Sequence, residues 1–448
     1  MRSRPTPALV LSIALGAAAC SLLAPDDDYF LGDSGTGGGG AGGGGGGGAT
    51  TCEPAPSCEA PARAPTVTLS EAEAVMLPAA VANAAPGDTI ALEPGTYNLS
   101  AVLSFKKSGV TLRSTTGVAD DVVIDAGQLP VIVAIAASDV TLSGITIQNA
   151  SETAISIGGG LGTVVERPRL CGVHVVDGGE AFLQAPAENG YTDCGRVEGS
   201  RLELTDAGRG ASCSTDLVSG ISVTGGRGWV LTDSELVGFY CGAPPVLSTA
   251  DCSSSGIGVV FSGGARDTTI ERSRFLDVAR GIALGYTITS TPPRAYADAP
   301  YPDVTVDHYD GVLRNNVVVG NPHCFDTGIE LNHARRPDVV HNTVIHLGTV
   351  LFSAIDRRYP GTDVVLQNNL HLGPLTLRDG AIPGVEAANV EVPDVTSYFV
   401  DAAGFDVHLT SSATNAIDRG VPAESAGLDI DGEPHDNGAA PDVGADER

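Results

Sequence analysis

The sequence predicts an all-β solenoid, and three observations carry that prediction. The segments VLRNNVV (312–318), VVHNTVI (339–345) and VLQNNLH (365–371) repeat one design, a β-branched strand followed by an Asn turn. Superposed, they put Asn315, Asn342 and Asn368 at one position, 27 and 26 residues apart. A fixed period of this length signals stacked supersecondary units. The pattern continues upstream with Ser in the Asn place: Ser273 in IERSRF, Ser234 in LTDSEL, Ser200 in VEGSRL and Ser143 in VTLSGI, with Cys171 there in PRLCGV. The composition agrees, because 58 Gly and only 5% aromatic residues suit tight turns and small stacked side chains rather than a large aromatic core.

The elements follow in order. Residues 1–19 carry Arg2 and Arg4, an apolar run from Ala8 to Gly16, then Ala17-Ala18-Ala19 before Cys20. A basic start, an apolar stretch too short to span a bilayer and small residues before a cut form a secretory signal. Residues 20–65 hold GTGGGGAGGGGGGG, which cannot bury apolar area and is expected to be a flexible tether. Nine Cys minus Cys20 leave eight, an even number that suits an exported chain. Short loop closure favours Cys52–Cys58 and Cys241–Cys252, with Cys194–Cys213 a further option. Cys171, on the ladder position, could be a buried thiol, which would leave Cys324 unpaired. No Cys group has zinc spacing.

The folded part is expected from residue 66. Ser70 with Glu73 has capping-box spacing, and Val75, Met76, Ala79, Ala80 and Val81 offer an apolar face interrupted by Pro78. A helix here would cover the first coil, whose open core otherwise invites aggregation. A second register precedes each ladder position: AISI, GISV, GIGV, GIAL, GIEL and AIDR. It points Ile155, Ile221, Ile257, Ile282, Ile329 and Ile355 inward. With period two, Ser156, Ser222, Gly258, Ala283, Glu330 and Asp356 then point outward. Residues 396–448 are expected to cap the C-terminal end.

Two resemblances sharpen this. Cys20 after small residues resembles a bacterial lipobox, which implies a lipid on Cys20; Ser21 after it implies the outer membrane. The PGDTI-x-L-x-PGTY entry, the GVTLRS and ASDVTLSGITIQNA strands and the Asn ladder resemble right-handed parallel β-helix proteins of the pectate-lyase-like class, over residues 66–395. The tail DVHLTSSATNAIDRG…LDIDGEPHDNGAAPDVGADE resembles that of many exported bacterial β-helix proteins. The class implies a single right-handed parallel β-helix and a relation to polysaccharide. It implies no one activity, because function lives in sites grafted on the fold.

The net charge of −29 and a single Lys pair, Lys106–Lys107, exclude nucleic acid and anionic lipid headgroups as partners. Glu330 and Asp356 are the candidate chemistry. One coil apart on the outward file, their Cα atoms would lie about 5 Å apart. Two carboxyl groups so close can serve a retaining hydrolase, bind Ca²⁺, or pair with arginine. Arg335, Arg336, Arg357 and Arg358 are the nearby guanidinium groups, and Arg358 is the candidate third catalytic member. The lysines that the fold's lyases resemble one another in using are absent from this region, as are the Asn-x-Asp and Gly-Asp-Asp signatures of its polygalacturonase-like branch. The primary expectation is therefore polysaccharide binding, with a lyase or hydrolase acting through Glu330, Asp356 and neighbouring Arg as the alternative. Arg335, Arg336, His333 and the loop tyrosines Tyr286, Tyr296, Tyr301 and Tyr309 are candidate binding residues, since Tyr faces suit sugar rings and long loops carry function. Asp429 and Asp431, in an Asp-x-Asp-Gly run, are candidate Ca²⁺ ligands, although a full ligand loop is missing and turn capping is the competing role.

Overall fold

A computed structural model describes residues 53–58, 63–213, 218–242, 248–253, 256–286, 294–296, 298, 306–348 and 352–448. Residues 1–19, expected to be a signal, Cys20, Cys52, Tyr301 and most of the expected tether lie outside the described residues. The rest is a right-handed parallel β-helix.

Each coil contributes one strand to each of three long parallel sheets. The coil at 141–157 shows the plan: Thr141–Ser143 joins the second sheet, Thr146–Gln148 the third and Thr153–Ile157 the first. The sheets hold because apolar residues recur in register. Inward rows run Leu142, Leu170, Val197, Leu231, Ile270, Leu313, Val339 and Leu366 in the second sheet, and Ile147, Val175, Leu202, Leu236, Phe275, Val318 and Val344 in the third. All are buried, so burial is continuous along the axis and is the main favourable term. In the first sheet the row reads Ile155, Leu183, Ile221, Val259, Ile282, Ile329 and Ile355. Val259, not Ile257, occupies the inward place, so the outward residue of that coil is Val260 rather than Gly258. Ile257 instead clusters with Val260, Ala283 and Tyr286, apart from the core. The GIGV motif misleads because Gly258 aligns with Gly281, where a Cβ would lie 2.6 Å from the next coil's carbonyl.

The turn ladder is real, and its register is corrected at four points. Ser200 Oγ accepts from Val173 N, Ser234 Oγ from Ser200 N, Ser273 Oγ from Ser234 N, and Asn316 Oδ1 from Ser273 N. Asn342 Oδ1 then accepts from Asn316 N, Asn369 Oδ1 from Asn342 N, and Asn389 Oδ1 from Asn369 N. The ladder residues are thus Asn316 and Asn369, one position after Asn315 and Asn368. Ser143 and Cys171 pair with each other in strands that precede the ladder position, which Val173 fills in that coil. Asn315 and Asn368 hold the preceding turn position, where the chain is left-handed (φ 54° and 56°), a conformation Asn tolerates.

The N-terminal cap forms as a 3₁₀ turn, Glu71–Met76, running into an α-helix, Leu77–Ala82. The Ser70–Glu73 capping box is present, with Ser70 N donating to Glu73 Oε2 at 2.9 Å. The buried face is Leu77 and Val81; Val75 and Met76 are exposed, because the 3₁₀ stretch ends before Pro78 and resets the phase.

Three described disulfides overturn the local pairings. They join Cys58–Cys171, Cys213–Cys241 and Cys252–Cys324, and Cys194 is disulfide-bonded as well. In a solenoid a neighbour one coil away is closer than it looks along the chain. Cys213, Cys241, Cys252 and Cys324 all lie in connections between the third and first sheets, stacked along the axis. Cys171 is no free thiol and Cys324 is not unpaired.

Residues 396–448 pack laterally against the third sheet. Tyr398, Phe399, Val407, Leu409, Ala413, Ala416 and Val443 bury against its outward residues Leu276, Val317, Val319, Ile345 and Leu370. The last coil keeps Leu377, Ile382 and Val385 exposed.

Candidate functional site

The outward face of the first sheet changes character at its C-terminal end. Over the earlier coils its outward file is Ala134, Ser156, Gln184, Ser222, Val260 and Ala283. It then becomes Glu330, Asp356 and Thr376, in strands Thr327–Asn332, Ser353–Arg358 and Leu375–Arg378. Glu330 and Asp356 are direct cross-strand partners, as the repeat requires.

Two like charges at strand spacing need compensation, and here each carboxylate has its own guanidinium. Arg378 grips Asp356 through Nε, at 3.1 and 3.2 Å from the two oxygens, and through a terminal nitrogen at 2.7 Å. Asp356 is buried while Arg378 is about a third exposed, so the pair seals the carboxylate beneath its partner. Arg280, from strand Arg280–Leu284, lies 3.5 Å from Glu330 Oε2, and both side chains are mostly buried. Asn332 Nδ2 donates to Glu330 Oε1 at 2.8 Å. Glu330 Oε2, Asn332 Oδ1 and Arg280 Nε are buried without a hydrogen-bond partner among the described residues.

The expected arginines go elsewhere. Arg358 Nε donates to Asp379 at 2.6 Å, and its guanidinium lies 4.3 Å from the Tyr359 ring centre. Arg335 faces Asp363 at 3.7 Å in the second sheet, and Arg336 follows it there in strand Ala334–Val340. Arg357 continues the strand and points inward, where Glu386 and the Pro383 carbonyl receive it. His333 is buried at the turn between sheets, with Nδ1 3.0 Å from Pro360 O and its ring stacked on Tyr359. Because Arg280 and Arg378 balance the two carboxylates, Ca²⁺ is not needed between them, and the donors do not form an open cation cage.

The fold is similar to that of a pectate lyase. Pectate lyase Pel9A superposes with a TM-score of 0.51 at 14% identity, over 83% of this chain and 90% of that one. A rhamnogalacturonan lyase aligns over 76% of this chain and 88% of its own, at 12% identity and a TM-score of 0.49. No protein-family profile matches the sequence, and no curated protein does. At these identities the likeness establishes the fold alone.

The described tyrosines here pack against the protein. Tyr296 packs beside Arg294 and Arg266, at 4.7 and 5.1 Å from its ring centre, and its hydroxyl donates to Gly225 O at 3.2 Å. Arg294 in turn holds Asp193 at 2.6 and 3.0 Å. Tyr309 is buried edge-on to Tyr296, and Tyr286 packs on Ile257, Val260 and Ala283. Asp429 is buried, and its Oδ1 accepts from Asp431 N and Glu433 N, which is turn capping. Asp431 instead meets His408 Nε2 at 2.7 Å, and with Asp446 these offer ligand-type atoms within 4.8 Å of one another.

Arg280, Asn332, Arg378 and Phe352 are the members that sequence reasoning missed. Phe352 is exposed beside the Asp356 pair, with Arg378 4.6 Å from its ring centre. Arg280 had a signal: it opens RGIAL, one strand from Glu330. Arg378 had none, because LTLR in the last coil lacks the Gly-Ile signature.

Proposed function

We propose that the protein binds a polysaccharide, without turning it over, on the outward face formed by Arg280, Glu330, Asn332, Phe352, Asp356 and Arg378. One observation carries this reading: both carboxylates of the paired file on that face are already held by guanidinium groups. A general acid–base pair needs carboxyl groups open to the substrate. A rigid, charge-compensated polar face with an exposed aromatic beside it suits sugar recognition instead. The similar fold of a pectate lyase fits a carbohydrate ligand in general terms. The export signal, the lipobox-like Cys20 and the disulfides support a lipid-anchored protein at the outer membrane or cell surface.

A glycan array, run beside reducing-sugar and unsaturated-uronate assays, tests the reading. Binding without product supports it; product formation abolished by Glu330→Gln with Asp356→Asn would replace it with the enzymatic alternative. Cys20→Ser should release the protein from membranes and abolish fatty-acid labelling; unchanged labelling would exclude that anchor.

A further inference from the structure

We infer that this face selects a neutral, hydroxyl-donating glycan and rejects polyuronates, an inference that rests on the binding reading above. Two features point the same way.

The first is the charge balance of the face. Arg280 faces Glu330, Arg378 holds Asp356, and Arg358 holds Asp379. Each of these guanidinium groups is matched by a carboxylate, so these pairs leave no surplus cation for a substrate carboxylate. The chain around them carries a net charge of −29. A polyuronate would meet this surface as one polyanion meeting another.

The second is the set of unpaired atoms. Asn332 is about 1% exposed, and its Oδ1 lacks a donor among the described residues; Glu330 Oε2 faces Arg280 as an ion pair at 3.5 Å but accepts no hydrogen bond among them. An unmade hydrogen bond to a buried polar atom is costly, so such atoms mark places where a partner is missing. Both are acceptors, and the partner they need is a donor. Next to them, Arg280 Nε lacks an acceptor. A sugar hydroxyl is donor and acceptor at once and can satisfy this group. A carboxylate can satisfy only the arginine, and it would set its charge against two acceptors and the Asp356 carboxylate. The neighbouring Glu330 and Arg280 side chains are mostly buried but keep some exposure, so a group that reaches these atoms must be small and projecting, such as a hydroxyl or hydroxymethyl.

The test measures wild-type binding by affinity electrophoresis to neutral galactan, arabinan, xylan, glucan and mannan, their methyl ethers, polygalacturonate and alginate, at one ionic strength. Expected is binding to at least one neutral glycan, loss of that binding on methylation, and none to the polyuronates. Glu330→Gln replaces an acceptor by a donor and should weaken neutral binding about tenfold or more, with circular dichroism unchanged. Tighter binding to a polyuronate than to any neutral glycan would overturn the selectivity while leaving polysaccharide binding intact. Binding to none of the polymers would overturn both. Undiminished binding by a folded Glu330→Gln would assign the unpaired atoms to ordered water and overturn the inference. If Glu330→Gln does not fold, the wild-type panel alone decides.

Discussion

Asn342 shows what a single side chain does in this fold. Its Oδ1 accepts from both Asn316 N and Asn316 Nδ2, and its Nδ2 donates to Leu313 O and to Asn369 Oδ1. Every one of these bonds crosses between coils, so the side chain ties three turns together. Asn342→Leu strands several buried groups at once and should cost about 3 kcal/mol, read as a lowered chemical-denaturation midpoint. Asn315→Leu should behave differently. Asn315 Nδ2 donates to Ala426 O and Leu428 O, and its Oδ1 meets His435 Nε2. Its loss should speed proteolysis of the tail around 421–435 more than it lowers the global midpoint. Equal effects on both measures would contradict these separate roles. Asn321 is a poor control for either, since it is buried, bonds Asp277, and caps His323 N and Cys324 N. The dipeptides Asn315-Asn316 and Asn368-Asn369 explain why the ladder was legible in kind but shifted in register. Two adjacent Asn fill two adjacent jobs, a left-handed turn and a ladder rung, and composition alone does not say which is which.

At the scale of elements, the C-terminal tail and the N-terminal cap solve opposite problems. The cap covers the end of a core; the tail covers a sheet face whose outward residues are apolar. The alternation in the third sheet carried a warning of this, because Val317-Val318-Val319 is apolar on both sides, as in a strand buried on both faces. A chain ending at residue 395 should therefore aggregate rather than lose only its last coil, as light scattering would show. The tail also brings a pH dependence. Burial raises the Glu447 carboxyl from 4.5 to about 7, with Asp442 and Asp429 adding repulsion against backbone hydrogen bonds that lower it. A group whose folded pKa is raised contributes stability below its unfolded pKa and loses it as pH climbs through the folded value. Glu447 should thus cost stability progressively from about pH 4.5 to about 7. The melting temperature of Glu447→Gln minus that of wild type should be near zero at about pH 4 and positive at about pH 8. His435, 3.3 Å away, is held low by burial and acts in both proteins, so the difference isolates Glu447. A flat difference would remove Glu447 as the cause.

The whole molecule was legible where the period repeats and illegible where the chain departs from it. Stacked rows of Leu, Ile and Val dictate coils, and coils dictate three sheets. The disulfides were missed because loop-closure reasoning counts residues along the chain, whereas the β-helix brings Cys213 to Cys241 one coil on, Cys252 to Cys324 two coils on, and the segment before the first strand to Cys171. The paired file Glu330–Asp356 was legible because it lies on the repeat; of its arginine partners, Arg280 opens a repeat strand and left a signal, whereas Arg378 sits in a last coil without the Gly-Ile signature. Non-reducing peptide mapping should recover Cys58–Cys171, Cys213–Cys241 and Cys252–Cys324. Reduction should lower stability by about 2–4 kcal/mol per bond, and a different partner for any of these six cysteines would contradict the structure. A soluble form should keep Cys58 and the cysteine before it; cutting at 65 would leave Cys171 without its partner. The bond between Cys58 and Cys171 has a mechanical consequence. Because it joins positions 113 residues apart, a pull arriving from the N-terminal side bypasses the closed loop, and the cap helix and first coils inside it bear no load. Unzipping from the N-terminal end is thereby blocked under tension. In a pulling experiment, reduction should release about 400 Å of additional contour, from coils that an intact staple keeps folded while the rest of the molecule is under strain.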